Sequence, residues 1–71
     1  MKVKAFLRKF LVGMSSINSV EIHYRPGYSA RHLHTQTKYT KSDVLDENYG
    51  PYATENVGSF EIHGDVLIIN I

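Results

Sequence analysis

The sequence predicts a small α+β domain: an antiparallel sheet of three or four strands, ending in a C-terminal β-hairpin, with two helices packed on one face. Three observations predict it. An apolar stripe of helical period opens the chain, a two-residue alternation flanks a glycine turn at its end, and a capping-box pattern lies between them. At 71 residues there is room for one domain, spanning 1–71.

Residues 2–12 read as an amphipathic helix. Val3, Phe6, Leu7, Phe10, Leu11 and Met14 recur at three- and four-residue steps, and Lys2, Lys4, Arg8 and Lys9 lie mostly off that face. Gly13 suits a left-handed C-cap, with Met14 closing over the last turn. Residues 19–24 read as a strand, Val20 and Ile22 alternating with Glu21 and His23, and Pro26–Gly27 follows as a turn signal. Residues 28–39 alternate only weakly and are either a second strand or a long loop.

Thr40 followed by Asp43 predicts a second helix over 41–49, with Val44, Leu45 and Tyr49 as its apolar face and Gly50–Pro51 as its end. Residues 57–71 form the clearest element, a hairpin closed by Gly64–Asp65 in a type II′ turn. That register pairs His63 with Val66, Ile62 with Leu67 and Phe60 with Ile69. It places Phe60, Ile62, Leu67, Ile69 and Ile71 on one face, which is expected to be buried under the helices. The element order is then α-β-(β)-α-β-β. The pentads Ser19–His23 and Ser59–His63 share one in/out pattern, so as neighbours they would bring both Glu and both His together on the open face.

Composition limits the function classes. The chain has no cysteine, which excludes disulfides and thiolate zinc sites and fits a reducing compartment such as the cytoplasm. A core of this size supplies only about 3–5 kcal/mol, so a homodimer would be a useful staple. Arg8 and Lys9 interrupt the N-terminal apolar stretch that a secretory signal needs. The longest other apolar run, Val66–Ile69, is far below the roughly 18 residues of a membrane span, so no membrane partner is expected. Charge is segregated. Residues 1–41 hold all eight Lys and Arg against one acid, a balance of +7, and residues 42–71 hold six acids and no Lys or Arg, a balance of −6. If the halves pack together, these charges largely neutralise one another.

No enzyme is predicted. Ser15, Ser16 and Ser19 lack a nucleophile elbow, the glycines form no phosphate loop, and no cofactor is implied. His32 and His34, with His23, His63, Glu21 and Glu61, offer imidazole and carboxylate ligands, so a histidine-based metal module is one alternative. The segment 24–41 is basic and aromatic, with Arg25, Tyr28, Arg31, His32, Lys38 and Lys41 and no acid among its residues. Cations neutralise phosphates and aromatic rings stack on unpaired bases, so direct nucleic-acid binding is a second alternative. For a protein partner, two surfaces stand out. One is the acidic run from Asp43 through Asp46 and Glu47 to Glu55, and the other is the pair Val66 and Ile68 on the hairpin face away from the core.

The opening Lys2–Leu7, the strand Val20–Ile22, the acidic Asp43–Glu47 and the closing Phe60–Ile69 together resemble short accessory proteins encoded by phages and prophages of Gram-positive bacteria. The resemblance implies a cytoplasmic protein that binds a host protein or nucleoprotein complex stoichiometrically. Some small proteins of that kind inhibit CRISPR or other defence systems. No catalytic residue carries over.

Overall fold

The computed structural model describes residues 1–24 and 37–71. Arg25, Tyr28, Arg31, His32 and His34, the turn at Pro26–Gly27 and most of segment 28–39 lie outside the described residues.

Helix α1 spans Val3–Leu11. Its stripe is core, as its period implies: Val3, Leu7 and Leu11 are fully buried, and Phe6, Phe10 and Met14 pack half-buried beside them. No side chain caps its start. Instead the N–H groups of Val3 and Lys4 donate to the carbonyls of Glu55 (2.8 Å) and Ala53 (3.3 Å), so distant backbone satisfies the helix end. The expected left-handed cap at Gly13 does not form. Val12 keeps a right-handed helical conformation, Gly13 has no positive φ, and the turn closes through Met14 N–H to the Leu11 carbonyl at 3.1 Å.

Strand β1 (Ser19–His23) follows, then β2 (Lys38–Thr40), a three-residue strand that takes in Lys38 and Tyr39 from the end of segment 28–39. Helix α2 (Lys41–Leu45) has the predicted capping box. Asp43 N–H donates to Thr40 Oγ1 at 3.2 Å, and Thr40 N–H donates to Asp43 Oδ2 at 3.3 Å. It stops at Leu45 rather than 49. Asp46 turns extended, and its side chain accepts from Asn48 N–H at 2.7 Å while its carbonyl accepts from Tyr49 N–H at 3.0 Å. This local side-chain bond offers the backbone an alternative to the next helical turn. Gly50–Pro51 then leads to Tyr52, which adopts a left-handed conformation at φ 56° while remaining buried.

Strands β3 (Ser59–His63) and β4 (Val66–Asn70) form the predicted hairpin in the predicted register, with Gly64 at φ 64° in the turn. The sheet order is β2-β1-β4-β3. It is mixed rather than wholly antiparallel, because β1 runs parallel to β4 with Val20 opposite Leu67 and Ile22 opposite Ile69. β4, apolar on both faces, takes an interior position. The long stretch through α2 supplies the crossover that parallel pairing requires.

The core joins Val20, Ile22, Leu67 and Ile69 of the sheet to Val3, Leu7 and Leu11 of α1 and Val44 of α2. Ile17, Tyr39, Tyr49 and Tyr52 complete it. The expected burial of the whole hairpin face is corrected at β3: Phe60 and Ile62 remain 46% and 43% exposed. Among the described residues β3 is the last strand of the sheet and has a strand neighbour on one side only.

Candidate functional site

The face of the sheet opposite the core is set by the strand register. Lys38, Glu21, Ile68 and Glu61 form one row across β2, β1, β4 and β3. Ser19, Val66 and His63 form the next row, and His23, Asn70 and Ser59 the third, in which Asn70 Nδ2 donates to Ser59 Oγ at 3.1 Å. No described helix packs on this face; Ile68 lies half-buried in the middle row and Val66 half-buried in the row beside the hairpin turn.

The two Glu–His pairs do not meet as neighbouring strands, because β4 separates them. Each frames Ile68 from its own side. His23 Nε2 lies 3.0 Å from Glu21 Oε1, Lys38 Nζ lies 3.9 Å from Glu21 Oε2, and His63 Nε2 lies 3.4 Å from Glu61 Oε1. The hydrogen bond from His23, which outweighs some desolvation, holds the Glu21 carboxyl below its ordinary range, helped by the charge of Lys38. Among the described residues no group of three or more His, Asp or Glu could hold a metal ion.

The acidic run is partly structural. The Asp43 carboxylate serves the capping box and the Asp46 carboxylate serves its turn, while Glu47 is exposed and its backbone carbonyl accepts from Lys4 Nζ at 3.0 Å. Asp43 and Asp46 still line a shallow depression of about 310 Å³ with Asn48 and Tyr49. The basic α1 thus adjoins the acidic half through backbone contacts. Among the described residues no Lys or Arg of 1–24 makes an ion pair with an acid of 42–71.

Of the described basic candidates, Lys41 is engaged: its Nζ donates to the Met14 carbonyl at 2.6 Å and ties α2 to the loop after α1. Lys38 stands beside Glu21 on the open face.

Sequence reasoning missed two aromatic groups. Phe6, Phe10 and Phe60 form a cluster with all three ring centroids 5.1 Å apart, next to a 230 Å³ depression lined by Met1, Phe6, Lys9 and Phe10. Tyr39 and Tyr49 meet edge-on at 5.7 Å, and Tyr24 stacks on Tyr52 at 6.4 Å. The four-residue spacing of Phe6 and Phe10 was the only local signal for the first group. The tyrosine contacts depend on the loop 46–52 folding back over β2.

No family model matches the chain, and no curated protein or solved structure matches it. Among the described residues no helix is long and apolar enough to cross a membrane.

Proposed function

We propose that this chain is a small phage-type accessory protein that binds a host protein and modulates it. The target class that the resemblance implies is a nucleic-acid-handling or defence complex. The observation that supports a binding role is the sheet face that no described helix covers, where Ile68 lies between Glu21 and Glu61, Val66 lies beside His63, and His23 and Lys38 stand on the same face. An apolar centre inside a polar rim is the anatomy of a protein interface. The acidic depression at Asp43 and Asp46 is a second surface for a basic partner.

Ile68 is the residue to change. It lies between Glu21 and Glu61, so Ile68→Lys gains carboxylate neighbours and keeps the fold while removing the apolar centre. The test is recovery of the tagged protein from a bacterial lysate, with and without nuclease, for wild type and this variant. One protein retained at near-equal stoichiometry after nuclease, and lost with Ile68→Lys, is the expected result. Recovery that depends on nucleic acid would instead favour direct binding through Arg25, Arg31, Lys38 and Lys41 and would refute the proposal.

A further inference from the structure

A different surface, which adjoins the first through Glu61 and His63, lies at the outer edge of β3, where no other described strand pairs. A hairpin with a two-residue loop makes the pair flanking the loop, His63 with Val66, hydrogen-bonded, and the two pair types alternate from there. Ser59, Glu61 and His63 therefore bond to β4, and the N–H and C=O groups of Phe60 and Ile62 point outward. Edge strands are usually short, charged, covered or interrupted by proline. β3 carries two large apolar side chains that are nearly half exposed, and Phe60 continues into the Phe6–Phe10 cluster.

We infer that this edge is a self-association surface, pairing antiparallel with β3 of a second copy of the chain about a two-fold axis at Ile62. The segment Glu61–Ile62–His63 is its own complement in that register. Ile62 lies opposite Ile62 and forms a hydrogen-bonded pair. Glu61 of each copy lies opposite His63 of the other, and Phe60 lies opposite Gly64, which has no side chain to crowd the ring. A shift of the axis to Glu61 sets carboxylate against carboxylate. A shift to Phe60 runs His63 of one copy against Val57 of the other, where Val57 N–H already donates to the Met1 carbonyl at 2.9 Å and Lys2 pairs with Asn56. The Ile62 register uses residues 60–64 and stays clear of that N-terminal segment. A two-fold axis normal to the sheet keeps the helices of both copies on one side. The joined sheet has eight strands, and Ile62 and Phe60 from each copy share an apolar seam.

The pairing is short, so the dimer belongs to the weak, transient class of interface, with Kd on the order of 10 μM to 1 mM. Sedimentation equilibrium over that range reads it directly. Wild type is expected to dimerise. Ile62→Pro removes the outward N–H without costing a ladder bond and is expected to stay monomeric, and Ile62→Lys, which sets two like charges opposite one another at the axis, is expected to stay monomeric too. Far-UV circular dichroism reports folding, and Ile62→Lys decides the matter if the proline variant unfolds. The charge pattern tests the register. His63→Glu sets like charges opposite one another and weakens Kd about 2- to 30-fold over the two symmetric pairs, and Glu61→His/His63→Glu together restore it. A wild type that stays monomeric to about 1 mM, a folded Ile62→Lys variant that still dimerises, or a His63→Glu variant with unchanged Kd would each overturn the inference.

Discussion

Tyr49 offers the sharpest test of the core. Its side chain is 6% exposed, and among the described residues its hydroxyl has no hydrogen-bond partner. Its ring meets Tyr39 edge-on, so the ring is held by packing and not by the hydroxyl. A buried polar group left unpaired costs about 1–3 kcal/mol. Tyr49→Phe removes the hydroxyl and keeps the ring, so it is expected to stabilise the fold by roughly that amount. For a 60–100-residue domain each kcal/mol shifts Tm by about 4–8 °C. Thermal unfolding at neutral pH followed by circular dichroism measures it.

The same substitution changes the alkaline response. Burial first, and then proximity to Tyr39 and Tyr52, push the Tyr49 hydroxyl well above the ordinary tyrosine range. The folded state thus holds a proton that the unfolded state loses from about pH 10. The stability contributed by that proton is complete below about pH 10 and is lost as pH rises towards the folded value, at up to about 1.4 kcal/mol per pH unit. Burial raises Tyr39 as well, so some alkaline loss remains after the substitution. Tyr49→Phe should therefore lose less stability than wild type between about pH 10 and 12. A lower Tm at neutral pH, or an alkaline slope identical to wild type, would show that the hydroxyl is satisfied and refute the reasoning.

Other perturbations follow from single contacts. Thr40→Ala removes one half of the capping box and should cost about 0.5–2 kcal/mol in chemical denaturation, without touching the core. Leu7→Ala, at a fully buried position, should cost about 2–5 kcal/mol, enough to leave the domain largely unfolded at 37 °C. Gly64→Ala places a side chain at φ 64° and should lower Tm by several degrees, about 1 kcal/mol in effect, with the hairpin still formed. For Glu21, the lowered carboxyl contributes stability above its unfolded value near 4.5, and that contribution fades as pH falls through the lower folded value. An NMR titration of His23→Gln should show Glu21 moving back up towards 4.5, and an unmoved titration would remove the His23 bond as the cause.

The sequence by itself determined the parts of this protein that are short in range. The period of Val3, Leu7 and Leu11 predicted α1, and Thr40 with Asp43 predicted the start of α2. Gly64 together with the alternation around it predicted the hairpin and its register, and with them the place of Val66 and Ile68 on the face away from the core. Each of these rests on bonds or spacings within a few residues, where side-chain chemistry acts directly on the backbone. Tertiary structure alone decided the rest. Only the global pairing of strands put β1 parallel to β4, set Glu21 and Glu61 on either side of Ile68, and left β3 at an edge with Phe60 and Ile62 exposed. Likewise, only the tertiary structure packs Tyr49 and Tyr52 into the core behind the Asp46 turn that ends α2. The physical reason is that strand order and burial depend on satisfying every backbone group and apolar face at once, and no five-residue pattern records which distant segment will do so.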